Sequence, residues 1–278
     1  MSKLNKIFLL IVFSLSFLSF SCSGSSEPLT FDDVSGIITE ESQEDWGTVI
    51  YNSKYRVINN VWNKAAATGP FIQRVFVETL NRKEALGWQW NWPVISTNVV
   101  SYPEVVYGDK AWDAPSGILT DLPVTAASSD IIADFNISIS VEGTYNMAFS
   151  IWGYSNSSNP RESITHEIMI WIVKEGMSPA GTKRYDLTVN GVLFDVNVRD
   201  NHGDASGGSS QTWTYVALSP RTNFLNGPLN IHEFTDFLIS KGILSSSTYL
   251  SSLEPGNEVV GGKGTTEIEN YSVEIIER

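Results

Sequence analysis

Two glutamates stand in surroundings that an ordinary solvated carboxylate does not have. The first is Glu167, in Thr165-His166-Glu167-Ile168-Met169-Ile170-Trp171-Ile172-Val173. A strand's period of two puts His166, Ile168, Ile170 and Ile172 on one face and Glu167, Met169 and Trp171 on the other. A carboxylate, a thioether and an indole in line describe the floor of a groove. An edge strand with one exposed glutamate has the same alternation. The second is Glu258, in Gly256-Asn257-Glu258-Val259-Val260-Gly261-Gly262-Lys263-Gly264. The glycines permit tight turns and close backbone approach, and the valines can desolvate the carboxyl. Desolvation raises a carboxyl pKa, as a general acid working near neutral pH requires. A glycine-rich hairpin with a solvated glutamate is the alternative.

Aromatic and amide groups accompany them. Gly87-Trp88-Gln89-Trp90-Asn91-Trp92 aligns three indoles on one strand face, which are awkward to pack at constant sheet spacing. At least one of the three is therefore expected to line a surface groove. Asn59-Asn60-Val61-Trp62-Asn63 sets amides beside an indole, a pairing suited to sugar hydroxyls and rings; a turn around a buried Trp is the other reading. Other chemistries fit less well. The three histidines, His166, His202 and His232, have no metal-ligand spacing, and neither a Gly-x-Ser-x-Gly elbow nor a phosphate loop occurs. Asp200-Asn201-His202-Gly203-Asp204 reads as a polar loop rather than a calcium loop. A pair of carboxylates among aromatics remains, and that is the equipment of glycoside hydrolysis.

The elements that must position these groups are short and alternating. Phe135, Ile137, Ile139 and Val141 alternate with polar residues, as do Val192, Phe194, Val196 and Val198; Trp213, Tyr215 and Ala217 form a third run. Asn190-Gly191 is a turn signal ahead of the second. Many short strands with polar loops predict an all-β sandwich of two antiparallel sheets, a jelly roll. One helix is expected late, capped by Asn230 with Glu233 three residues on, carrying Ile231, Phe234 and Leu238 on one face and stopped by Gly242. It would pack across the sandwich. No internal repeat or second domain is visible.

Bulk properties narrow the partners. The 278 residues carry a net charge of −13, which argues against nucleic acid and anionic membrane surfaces and suits a neutral substrate. Aromatic residues make up 12%, with nine Trp and ten Tyr, a supply of flat faces on which sugar rings can stack. Lys3 and Lys6 precede the apolar run Ile7 to Phe20, a targeting signal too short to span a membrane normally. Cys22, the only cysteine, sits where a bacterial lipoprotein is cleaved and lipidated; a plain secretory signal cleaved nearby is the alternative. No disulfide supports the fold. Removing both lysines makes the mature charge −15 (−13 less 2). The organisation expected is a signal at 1–21, a flexible tether rich in Ser, Gly, Asp and Glu at 22–45, and one domain at 46–278.

These motifs resemble glycoside hydrolase family 12, small β-jelly-roll endo-β-1,4-glucanases and xyloglucanases, from about Tyr51 to the C-terminus. The family's Glu-(Ile/Leu)-Met-Ile-Trp strand is matched in full by Glu167-Ile168-Met169-Ile170-Trp171. Its late Gly-x-Glu segment resembles Gly256-Asn257-Glu258, followed by Gly261-Gly262-Lys263-Gly264 and Tyr271-Ser272-Val273. Asn60-Val61-Trp62 resembles its Asn-x-Trp, and Trp90 and Trp92 with Ser101-Tyr102-Pro103 its Trp-x-Trp…Ser-Tyr-Pro region. One departure stands out. Where the family reads Ala-Tyr-Asp-(Leu/Ile)-(Phe/Trp), this chain has Ala148-Phe149-Ser150-Ile151-Trp152. Alternation points Ala148, Ser150 and Trp152 to the cleft, where the Ser150 hydroxyl is expected to donate to Glu167 and favour its ionised form.

The resemblance implies a retaining, endo-acting hydrolase of β-1,4-linked glucan, whether cellulose-type, xyloglucan or mixed-linkage. Glu167 would be the nucleophile and Glu258 the acid/base, with carboxyls about 5–5.5 Å apart. Trp62, Trp171 and Trp90 would stack on sugar rings, Asn60 would hold hydroxyls, and Met169 would pack under the reacting sugar. No metal or cofactor is implied. The protein is expected as a monomer, exported, held to the outer membrane only through lipid on Cys22. A glycan-binding lipoprotein with the same fold and no catalysis is the competing reading.

Overall fold

The computed structural model describes residues 28–278, so the signal segment and Cys22 lie outside the described residues. Along the chain come β1 (Ile37–Ser42), β2 (Thr48–Tyr51), β3 (Tyr55–Ile58), β4 (Ile72–Leu80), β5 (Lys83–Trp92) and β6 (Glu104–Gly108). Then follow β7 (Val124–Thr125), β8 (Ser129–Tyr154), β9 (Ile164–Glu175), β10 (Thr182–Val189), β11 (Val192–Gly203) and β12 (Thr212–Pro220). The last elements are β13 (Leu229–Asn230), α1 (Ile231–Ser240), β14 (Tyr249–Leu250), β15 (Ser252–Gly256) and β16 (Val259–Glu277).

The pairings make a jelly-roll sandwich. One sheet runs β1-β4-β5-β16 and on to the first half of β8, whose residues Ser129 to Tyr145 pair with β16. The other contains β2-β3-β6-β15, the second half of β8, then β9, β12, β11 and β10. β8 thus crosses from one layer to the other. Met147, Phe149 and Ile151 on β8 and Ile168, Ile170 and Ile172 on β9 turn into the main core beside Phe135, Phe194 and Leu218. The opposite faces of the same strands form a second, cleft-side cluster with Ala148, Met169, Trp171, Trp213 and Tyr215. The period of two read from β9 is therefore realised with both faces used.

Three expectations need correction. The sheets are not wholly antiparallel: β9 pairs parallel with β12, Glu167 opposite Tyr215 and Met169 opposite Ala217. The tether does not extend to residue 45. Ile37–Ser42 forms β1 against β4, and just before it Ser35 and Gly36 donate backbone N–H groups to Glu267 and Glu78. Polar composition hid this strand because it lies on an edge with most of its side chains exposed or half-exposed. Finally, Trp88, Trp90 and Trp92 are all fully buried in the main core. The packing difficulty is solved with other rings: Phe71 stacks on Trp92 at 3.7 Å and Tyr145 meets Trp90 edge-on at 6.2 Å.

Turn and cap chemistry follow the sequence. Asn190 and Gly191, both at positive φ, close the β10–β11 hairpin. The Asn230 side chain accepts from His232 N–H at 3.1 Å, capping α1, while Ile231, Phe234 and Leu238 are buried and Gly242 follows at φ +66. Of the capping box only this half is formed, since Glu233 makes no return bond to Asn230. Among the described residues no helix is long and apolar enough to cross a membrane.

Candidate active site

The concave face of the second sheet carries a cleft of about 800 Å³ that contains both Glu167 and Glu258. Glu167 enters from β9, where its neighbours across the sheet are Trp152 on β8 and Tyr215 on β12. Its carboxylate accepts the indole N–H of Trp213 at 2.7 Å. Burial pushes its pKa up, the Trp213 bond opposes this, and the nearby carboxylate of Glu258 adds to it, for a value of about 8. Glu258 sits in the turn between β15 and β16. Asn146, wholly buried on β8, grips it twice: its side-chain nitrogen donates to the carboxylate, and its oxygen accepts Glu258 N–H at 3.0 Å. Burial raises Glu258 to about 7 despite the Asn146 bond. Burial lifts both carboxyls into the neutral range, where two such groups in one cleft titrate as a pair rather than singly.

The turn that presents Glu258 is locked from below. Asn257 accepts from the Trp88 indole at 2.7 Å and the Thr266 hydroxyl at 2.8 Å, and donates to Asn146 O at 2.6 Å. Gly256 is required by close approach, because a Cβ there would stand 2.7 Å from Pro103 O and 2.8 Å from the Tyr102 ring. The buried Trp88 therefore serves the site through a hydrogen bond, from the core side.

The cleft gathers most of the predicted residues, with altered roles. Asn60, Trp62, Ser150, Met169 and Trp171 all line it. Trp62 is half-buried, with an indole available to a ligand. Trp171 is 1% exposed and Met169 2%, so both are packed floor, and Trp171 offers no open face for stacking. Asn60 is largely committed to the protein: it donates to Glu104 at 2.8 Å and accepts Trp62 N–H at 3.1 Å. It holds the Trp62 turn. Trp90 does not belong to the cleft at all, for the reason given above. Ser150 lies opposite Met169 rather than Glu167, two residue pairs along the strand from the Trp152–Glu167 pair, and makes no hydrogen bond to Glu167.

Four further indoles line the cleft beyond those nominated as binding residues. Trp112, Trp152 and Trp213 pack edge-to-face in a triangle with centroids 5.2–5.4 Å apart, beside Glu167. Trp152 follows from the β8 alternation, and Trp213 from the β12 alternation once β12 is known to adjoin β9. Trp112, in a loop after β6, left no periodic signal. Half-exposed Trp46 stands at the rim. A cleft walled by indoles and holding two raised carboxyls has the equipment of a hydrolase of glycosidic bonds in sugar chains.

Comparison with known proteins agrees. The model of glycosyl hydrolase family 12 matches residues 53–276, and the chain belongs to this family of glycoside hydrolases. It is 32% identical over 227 residues to Endoglucanase S of Pectobacterium parmentieri, covering 81% of this chain and 83% of that one. It is 26% identical over 241 residues to the Xyloglucan-specific endo-beta-1,4-glucanase A of Emericella nidulans, covering 83% and 89%. In structure it resembles a family 12 xyloglucanase from Bacillus licheniformis in complex with ligand, at TM-score 0.75 and 29% identity over 85% of this chain and 99% of that one.

Proposed function

We propose that this chain is a retaining, endo-acting β-1,4-glucanase whose preferred polymer is xyloglucan. The observation that carries the reading is the placement of Glu167 and Glu258 in one indole-walled cleft. Glu167 attacks the anomeric carbon as Glu258 protonates the departing glycosidic oxygen, giving a glycosyl-enzyme. Glu258, now a carboxylate, takes a proton from water, whose oxygen attacks the same carbon and releases Glu167. Trp213 stabilises the attacking carboxylate and Asn146 fixes the acid/base. Endo action is supported by the Emericella relative, whose name is that of an endo-beta-1,4-glucanase. Xyloglucan is supported by the relatives: the Emericella enzyme and the Bacillus licheniformis structure both carry that specificity in their names.

The test is release of reducing ends from xyloglucan, barley β-glucan and carboxymethylcellulose, with Glu167→Ala alongside. Fastest release from xyloglucan, lost in the variant, with product first appearing as the β-anomer by proton NMR, is the expected result. First appearance of the α-anomer refutes retention. Binding of the polymers without release makes the chain a glycan-binding protein. We place the enzyme outside the inner membrane as a lipid-anchored monomer, supported by Lys3, Lys6, the apolar run and Cys22. Loss of fatty-acid labelling in Cys22→Ser checks the anchor.

A further inference from the structure

Under the cleft floor lies a buried charged network that none of the steps above uses. Lys110, in the loop after β6, is 8% exposed, and its ammonium stands 2.6 Å from Glu104 and 3.5 Å from Glu254. Both carboxylates are buried. Asn60 donates to the same Glu104 oxygen, and the Ser252 hydroxyl donates to Glu254. Burial pushes the Glu104 carboxyl up to about 8 even beside the Lys110 ammonium, and such a buried ionisable cluster is an expensive way to hold a sheet together, since apolar residues of similar volume commonly do as well. A functional account is called for.

The sheet register supplies one. Glu254 on β15 is directly opposite Ser150 on β8, and Ser150 is directly opposite Met169 on β9. Residues directly opposite share a face. Glu254, Ser150 and Met169 therefore form a row across the cleft floor, with Glu167 in the adjoining row. Ser150, a small residue, is all that stands between Glu254 and β9 in that row. Lys110, Ser150, Glu254 and Glu167 line the same cleft.

We propose that Glu254 and Lys110 act as a positioning pair for Glu167, the strand beside Ser150 supplying the carboxylate that Ser150 cannot. The inference rests on the reading of Glu167 as nucleophile. The electrostatics agree in sign: after burial, the Trp213 bond and Glu258, Glu254 raises the Glu167 pKa and Lys110 lowers it. Other charged or titratable groups facing the cleft are Tyr102 just before β6, whose hydroxyl donates to Glu254 O at 2.9 Å, Glu258 from the β15–β16 turn, Tyr215 from β12, Arg199 and His202 from β11, and Arg161, Asp113 and Asp204 between strands. Glu254 lies on the β8 side of β9, opposite to β12 and β11.

The test is the pH profile of kcat/KM on xyloglucan for the full chain and two variants. Its limbs report the macroscopic titrations of the Glu167–Glu258 pair, and a charge removed beside Glu167 moves the acid limb through the share that Glu167 has in it. Glu254→Gln should move that limb to lower pH and Lys110→Met to higher pH, each on the order of 0.5 to 1 unit. Adding Ser150→Asp to Glu254→Gln should return the limb toward its original place, and Lys110→Arg should leave it where it was. A packing defect lowers activity without opposed shifts. Shifts of one sign, or none, in variants that melt cooperatively overturn the proposal. If Lys110→Met does not fold, the Glu254→Gln shift and its reversal by Ser150→Asp decide alone. Glu167→Ala separates the two failures: turnover surviving in it removes the nucleophile reading itself, whereas an inactive Glu167→Ala with unshifted profiles removes only the pair.

Discussion

The indole nitrogen of Trp213 donates to the Glu167 carboxylate from 2.7 Å, across the one parallel strand pairing of the cleft sheet. A hydrogen bond to the charged form favours it, and one to an ion is worth about 1.5–3 kcal/mol. Trp213→Phe keeps the ring's packing against Trp112 and Trp152 and removes the donor. Turnover should fall roughly 10- to 100-fold, and the acid limb of the kcat/KM profile should move to higher pH. An unmoved limb would show that the bond does not favour the Glu167 anion.

Asn146 is the corresponding device for Glu258. Asn146→Ala takes away the donor that lowers the Glu258 pKa and leaves the half-buried Glu258 N–H without its acceptor. The alkaline limb of kcat/KM should rise, the reverse limb from the one Trp213→Phe moves. Stability should drop by about 1–3 kcal/mol from the orphaned donor, readable in urea unfolding.

Both carboxyls carry a cost in stability that depends on pH. Each has a folded pKa raised above the ordinary 4.5, to about 8 for Glu167 and about 7 for Glu258. Between 4.5 and those values the folded chain holds more protons than the unfolded one, so stability is greatest below 4.5 and declines as pH rises through 7 and 8. Glu167→Gln, which cannot ionise, should melt on the order of 3 °C or more above the parent at pH 8 and close to it at pH 4. Equal melting shifts at the two pH values would contradict the linkage.

Trp62 and Trp90 separate the cleft from the core. Trp62→Ala should raise KM for xyloglucan about tenfold or more with a modest change in melting temperature. Trp90→Phe should leave KM unchanged, because the ring is in the core. Its indole N–H is buried without a partner, so the variant gains by losing that donor what it gives up in packed volume, and stability should stay within about 1.5 kcal/mol. A KM effect at Trp90 would restore it to the binding surface.

The carboxyl pair and the sandwich were legible in the sequence because both are local patterns. A period of two assigns Glu167 its face, and the glycines around Glu258 announce a turn. What was not legible depends on which strands adjoin. Parallel pairing of β9 with β12 brings Trp213 to Glu167 from 46 residues away, and β15 beside β8 brings Glu254 to Ser150 from across the chain. Nor does periodicity distinguish a buried aromatic face from a groove. Trp88, Trp90 and Trp92 occupy the core, while Trp112, on a loop with no period, lines the cleft. Ser150 illustrates the finer limit: alternation set its face correctly, but the bulge between Met147 and Ala148 and the register that follows decide its opposite number.

The 26 residues of β8 run through both layers without a break, and this has a consequence for how the enzyme comes apart. One end is stitched to β16 at the back of the molecule, and the other carries Asn146, Ser150 and Trp152 between β15 and β9. Opening the floor of the cleft therefore pulls on a strand that is also held in the back layer. Its amide protons should exchange as slowly as those of the back layer, while lining residues on loops, Trp112 among them, should exchange faster.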